Sequence, residues 1–166
     1  MEPRIEVRDG AVHDIDQVSS LLEQTWAQAY GNVLSSDQLA HITKTLHNAE
    51  HLKRQIDNKE ACFLVCTCDG AILGHAYASM KSENALWLAK LYVLPAAQGK
   101  GMGQLLFAEI CKRHPKARIA QLEVGRENAN AIAFYQRNGF EKIAEVEKCG
   151  GKIDTPVFLM QAVLPK

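Results

Sequence analysis

The stretch Gln98-Gly99-Lys100-Gly101-Met102-Gly103-Gln104 constrains this chain most. Ahead of it, Ala85 to Leu94 has the composition of a strand, and Pro95 stops that strand because it donates no ladder hydrogen bond. Behind it, Met102, Leu105, Leu106 and Ile110 recur at helical spacing. The glycines therefore turn a strand directly into a helix. Such a junction leaves the first helical N–H groups bare, and with the helix dipole they form an anion site, for which a pyrophosphate is the natural ligand. Two familiar phosphate loops do not fit. A P-loop needs a glycine five residues before Gly99-Lys100, where Leu94 stands. The dinucleotide pattern G-x-G-x-x-G ends on Gln104 from Gly99, or on Leu106 from Gly101.

The remaining elements follow from periodicity and punctuation. Ile5 to Arg8 alternates as a first strand. Asp14 is the expected cap of a helix carrying Val18, Leu21, Leu22 and Trp26, which Gly31 and Asn32 end or bend. Ser36 is the expected cap of a second, with Leu39, Ile42 and Leu46, and a break near Asn48 precedes Leu52 and Ile56. Cys62 to Cys68 is an apolar run ended by Asp69-Gly70, a hairpin signal, with Ala71 to Met80 as the return strand. Lys112, Arg113 and His114 suit the C-terminus of the helix after the glycines, and Pro115 blocks its extension. Arg118 to Val124 is a strand, Asn128 caps a helix ending at Asn138-Gly139, and Phe140 to Lys148 and Ile153 to Val163 are the last strands. The fold expected is α/β: one mixed, largely antiparallel sheet of about seven strands with helices on both faces.

Charge and cysteine content exclude some functions. Lysine plus arginine number 19, and so do aspartate plus glutamate, among 166 residues. No overall field favours nucleic acid or an anionic membrane, so neither is expected as a partner. The start, Met1-Glu2-Pro3-Arg4, is charged, with no signal-peptide core, so a cytoplasmic location is expected. Five cysteines are an odd number and lack metal-site spacing, so free thiols and no metal are expected, with Cys66 and Cys68 on one side of a strand. His47 and His51, four apart without a third ligand, read as surface residues, and His75 is one strand histidine that could reach a cleft.

At Gln98, Gly101 and Gly103 the chain resembles the GNAT superfamily, whose Q/R-x-x-G-x-G/A loop binds the pyrophosphate of coenzyme A. A second segment agrees: Leu122-Glu123-Val124, then Asn128, Ala131, Phe134-Tyr135 and Gly139-Phe140. The resemblance is close over Leu86 to Phe140. It implies one N-acetyltransferase domain over residues 1–166, with acetyl-CoA as cosubstrate and no metal. It also implies a splay between two parallel central strands that admits the pantetheine arm. Leu91, Tyr92 and Val93 would bond that arm by their backbone. Gln98, Gly99, Lys100, Gly101, Met102, Gly103 and Gln104 would hold the pyrophosphate, and Asn128 would bond the pantetheine from the other side.

Acetyl transfer needs a neutral amine and an acid for the departing thiolate. Tyr135 matches the family's acid position, and its reference pKa of about 10 keeps it protonated at neutral pH. The competing reading is a half-buried core tyrosine. Glu123, at the end of a strand beside the splay, is the candidate base through water; the competing reading is a solvent-facing carboxylate. Trp26, Tyr30 and Glu83 are the candidate acceptor-site residues, with Lys90, Cys149 and Asp154 as further lining. Lys90 departs from the acidic residue many relatives carry there. The acceptor expected is a primary amine of a small molecule, polyamine-like or another amine metabolite. A peptide N-terminus or lysine is the alternative, and a non-catalytic acyl-CoA-binding module the alternative of another class. A homodimer is admitted as an assembly.

Overall fold

The computed structural model describes residues 2–151 and 153–165. Met1 and Lys166, the bounds of the expected domain, lie outside the described residues. Seven strands form one sheet in the order β1-β2-β3-β4-β5-β7-β6. They are β1 Ile5–Asp9, β2 Ala61–Cys68, β3 Ala71–Met80, β4 Ala85–Val93, β5 Ile119–Gly125, β6 Glu141–Val146 and β7 Val157–Val163. The helices are α1 Ile15–Tyr30, α2 Ser36–Leu46, α3 Ala49–Asp57, α4 Met102–Arg113 and α5 Ala129–Arg137. Only β4 and β5 run parallel. Among the described residues, no helix is long and apolar enough to cross a membrane.

Local signals account for most element ends. Asp69 and Gly70 both take positive φ, 50° and 88°, as the tight β2–β3 hairpin requires. Asn48 separates α2 from α3 and caps α3, its side chain accepting the His51 N–H at 2.9 Å. Ser35, not Ser36, caps α2. Its hydroxyl accepts the Gln38 N–H at 3.1 Å, and the Gln38 side chain accepts the Ser35 N–H at 2.7 Å, a capping box. Asp14 does not cap α1 with its side chain; its carboxylate instead takes the Ala11 N–H and the Arg8 guanidinium. The last strand starts at Val157 rather than Ile153, because Gly150 and Gly151 take φ of 59° and 72° and Pro156 lacks a donor. The intervening loop is tied by a bridge between Cys149 and Ile153.

The sheet has a helix layer on each face. Under α4 and α5 lie Leu64, Cys66, Ala76, Ala78, Leu86, Leu88 and Leu122, with Met102, Leu106 and Ile110 packed on them. Cys68 joins this side, so Cys66 and Cys68 do share a face. Under α1 and α3 lie Phe63, Val65 and Ile72 with Val18, Leu21, Leu22 and Leu52. A third cluster joins Trp26 and Tyr30 of α1 to Leu34 and Ile42. The five cysteines are free thiols.

Candidate active site

Two departures from regular pairing create the site. β4 and β5 are paired only through Ala85, Leu86 and Trp87, opposite Ile119, Ala120 and Gln121. Beyond Trp87 the strands part, and Leu91, Tyr92 and Val93 keep β3 as partner on one side only. Their other edge has no strand partner, and apart from the Val93 carbonyl, which takes the Gln98 amide, its backbone groups call for a hydrogen-bonding ligand. The second departure is a bulge in β4. Ala78 pairs with Leu88 but Tyr77 pairs with Lys90, so Ala89 is an extra residue. A bulge reverses the in-out alternation of a strand. Leu86 and Leu88 therefore face α4, while Lys90 and Tyr92 face α1.

The glycine turn lies at the open end of the splay. Gly99 and Gly101 take φ of 84° and 85°, a region closed to most other residues. A Cβ at either would meet nothing within 4 Å, so the space before these N–H groups is open. Gly101 is the N-terminal residue before α4, and the N–H groups of Met102, Gly103 and Gln104 have no partner within the helix. Gly103 packs closely on α5: a Cβ there would be 3.3 Å from the Phe134 ring. Side chains of this turn serve structure more than they offer ligand groups. Met102 is buried in the core. The Gln98 amide donates to the Val93 carbonyl at 3.1 Å, tying the turn to the end of β4. Gln104 donates to Asn138 Oδ1 at 2.8 Å. Lys100 is exposed.

Around the splay the fold gathers groups far apart in sequence. Asn128 caps α5, accepting the Ala131 N–H at 3.3 Å, and this leaves its amide donors for a ligand. Tyr135, two turns on, is buried edge-on against Phe134 and Phe140, with ring centroids at 5.4 and 5.5 Å. Burial holds its phenol further above the ordinary value, so it stays protonated. Tyr30 is buried too, and burial, Cys149 and Tyr135 raise its phenol; burial, Tyr30 and Tyr135 do the same for Tyr92. Burial and the neighbouring Glu123 push the Cys149 thiol up to about 11. Glu123 is half-buried, and its carboxylate accepts the Gly150 N–H at 2.9 Å. Trp26 stacks obliquely on Tyr30, centroids 4.5 Å apart.

Several residues fall differently from the sequence expectation. Glu83 is exposed in the turn between β3 and β4, beside the closed end of the parallel pair and away from the splay. Asp154 is exposed in the β6–β7 loop. His47 is not a surface residue: it is 5% exposed, ends α2, and packs edge-on to Trp26 at 5.5 Å. His75 is wholly buried, with Nδ1 2.8 Å from the Leu64 carbonyl, so it cannot line an open cleft. Residues missed by sequence lie at the end of β5. Gly125, Arg126 and Glu127, with Tyr30, Thr155 and Pro156, line a cavity of about 30 Å³. Their signal was positional: they follow the parallel strand that parts from its neighbour, where open α/β sheets bind ligands. Gly125 is needed there, since a Cβ would stand 2.6 Å from the Tyr30 ring.

A parallel pair opened beside a bare helix N-terminus makes a cleft for an extended ligand that carries an anion, and comparison with known proteins gives the family. The acetyltransferase (GNAT) domain matches residues 31–156, and the chain belongs to that family. It is an N-acetyltransferase of the GNAT type. A spermidine N(1)-acetyltransferase of Thermoplasma acidophilum is 25% identical over 143 residues, 82% of this chain and 88% of the relative. The peptidyl-lysine N-acetyltransferase YiaC of Escherichia coli is 38% identical over 72 residues, 43% of this chain and 44% of YiaC. Among solved structures, the PaiA N-acetyltransferase from Thermoplasma acidophilum in complex with coenzyme A superposes with a TM-score of 0.82. It is 22% identical, with 97% of this chain and 99% of that one covered.

Proposed function

We propose that the protein transfers the acetyl group of acetyl-CoA to a primary amine of a small molecule, polyamine-like or another amine metabolite, by direct attack in a ternary complex. The observation that carries this reading is the open edge of Leu91, Tyr92 and Val93 beside the bare N–H groups after Gly101. The turn holds the pyrophosphate by backbone, with Gln98 and Gln104 bracing it. The β4 edge and Asn128 hold the pantetheine arm, so the thioester lies beside Tyr92 and Tyr135. Trp26 and Tyr30, with the exposed Arg126 and Glu127 after β5, lie where the acceptor would approach. The relative acting on spermidine supports a polyamine-like acceptor. A peptide lysine is the second reading, supported by the local likeness to YiaC.

A primary ammonium, with a reference pKa of about 10.4, must lose a proton before it can attack. Glu123 draws the ammonium and passes its proton to water. The amine nitrogen then bonds to the acetyl carbon, the carbon–sulfur bond breaks, and Tyr135 protonates the thiolate. Thiol release from acetyl-CoA with spermidine, spermine, amino acids and lysine peptides tests the function. Release with one class names the acceptor; binding of acetyl-CoA without release favours the non-catalytic module. Tyr135→Phe is expected to lower turnover about 100-fold, the lower range for a general acid, with acetyl-CoA affinity little changed. Unchanged turnover would remove Tyr135 from the mechanism.

A further inference from the structure

The face of the sheet under α1–α3 contains polar atoms that the acetyl-transfer site leaves unused. Lys90 is 8% exposed, and its Nζ is fully enclosed with no hydrogen-bond partner. The β4 bulge at Ala89 puts it there; in an unbulged strand its side chain, two residues on, would share the face of Leu88. Its ammonium lies 5.8 Å from the Phe63 ring centre and 5.7 Å from that of Tyr77. Three more enclosed atoms on this side lack partners, His75 Nε2, His47 Nδ1 and Gln55 Oε1, while Trp26 Nε1 is directed to the Tyr92 hydroxyl. Because His75 Nδ1 faces the Leu64 carbonyl, that nitrogen carries the proton and Nε2 is a bare acceptor.

Each such atom left dry costs about 1–3 kcal/mol, and native proteins relieve that cost with buried water. Unpaired donors and acceptors come from the end of α2, α3, β3 and β4 on this one side of the sheet, as the lining of a water cluster would. This polar side also reaches the candidate active site. Trp26 contacts both His47 and Tyr30, and Tyr92 is the cross-strand neighbour of His75. Tyr92 also packs against the cluster of Trp26 and Tyr30.

We propose that these atoms enclose ordered water and that Lys90 is the proton store of the reaction, taking up through that water the proton the acceptor amine gives up. The step balances. The ammonium of the acceptor becomes an amine, and neutral Lys90 becomes an ammonium. After transfer, Lys90 returns the proton to solvent. Lys90 acts through Tyr92 and water, not by touching substrate, so it is a positioning residue. The groups that bear on it are His75 and Tyr77 of β3, Tyr92 of β4, His47 after α2 and the Phe63 ring of β2. His51 of α3 acts on His47 in turn. Among the described residues no carboxylate offsets its burial, which holds the Lys90 ammonium down to about 7, far below an ordinary lysine.

This inference rests on the acetyltransferase reading, and its test separates the two. The pH dependence of kcat/KM is measured with spermidine, or with whichever amine releases thiol in the panel above. Wild type is expected to show a limb with a midpoint near 7. Lys90→Met and Lys90→Arg, neither able to accept a proton, are expected to lose that limb. They fall about 100-fold at pH 7 and recover as pH approaches 9, while acetyl-CoA affinity holds. Glu123→Gln keeps the limb. A Lys90→Met profile of wild-type shape overturns the proposal. Should the variants fail to fold, NMR titration of wild type carrying ¹³C-labelled lysine decides: one lysine titrating near 7 supports the store, and all titrating above 9 sink it. No thiol release with any amine would instead sink the acetyltransferase reading.

Discussion

Under α4 and α5 the sheet meets leucine, isoleucine, methionine and phenylalanine, and nothing ionisable is sealed there except thiols and the Tyr135 phenol. Under α1–α3 it meets Phe63, Val65 and Ile72, and also Lys90, His75 and His47. Both sides are equally closed to water, so burial alone does not separate them. The α4 side holds the chain together by packing and gives α4 a firm base from which its N-terminus faces the glycine turn. The α1 side gives up part of that stability to keep titratable groups beside the splay. Below pH 9 one face is therefore insensitive to pH and the other is governed by it.

The largest expected effect comes from acid. Burial lowers His47 to about 3, and it lowers His75 well below its ordinary 6.5. Below pH 6.5 the unfolded chain binds protons that the folded chain refuses, so stability falls as pH drops from 6.5 toward 3. At about 1.4 kcal/mol per unit, His47 alone is expected to cost about 3 kcal/mol between pH 6.5 and 4, a large share of a domain's stability. Urea unfolding followed from pH 7 to 4 is expected to show this loss, and His47→Leu or His75→Leu to flatten it. Equal slopes in wild type and both variants would place the acid sensitivity elsewhere.

The next effect belongs to the other face. Leu106 is wholly buried between α4 and the sheet. Leu106→Ala is expected to cost about 2–5 kcal/mol through lost burial and a cavity, by the same amount at pH 5 and pH 8. A pH-dependent cost would mean that the two faces are coupled through the sheet.

Lys90 then sharpens the contrast in the alkaline direction. Its folded value of about 7 lies below the ordinary 10.5, so between these the unfolded chain binds more protons and stability rises with pH. Over pH 7–9 the rise is expected to be roughly 2–3 kcal/mol at about 1.4 kcal/mol per unit, and Lys90→Met should abolish it. Above pH 9 the buried thiols, raised to about 11, oppose it, which closes the window. A flat wild-type curve would mean that Lys90 stays charged in the fold.

How legible these faces were depends on distance along the chain. The hairpin at Asp69-Gly70, the stop at Pro95, the glycine turn and the cap at Asn128 act on neighbouring residues, and all of them appeared in the sequence. Tyr135, Asn128 and the turn were readable as neighbours because fixed spacings on adjoining elements bring them to one place. The polar side was not readable. It needs α1, α2, β3 and β4 to converge, and it needs the extra residue at Ala89, which a strict period of two does not contain. By that period Lys90 shares the face of Leu88, and His47 and His51 share one helix, which Asn48 in fact divides. Glu83 failed for the complementary reason: a turn residue is easily recognised, but which end of a parallel pair opens depends on strands not adjacent to it in sequence.

The smallest effect probes how firmly the helical cover sits on the polar face. Ser35 and Gln38 satisfy each other's backbone N–H groups at the start of α2, and α2 delivers His47 to Trp26 eleven residues past Ser36. Ser35→Ala is expected to cost about 1 kcal/mol at pH 7, the usual value for a lost cap. Because a frayed α2 would let water reach His47, the cost should be smaller at pH 5, where protonated His47 gains from that water. Thermal melts of wild type and Ser35→Ala at both pH values check this. A cost equal at the two values would show that α2 frays at its start without loosening its end, and that His47 is sealed by Trp26 rather than by the helix.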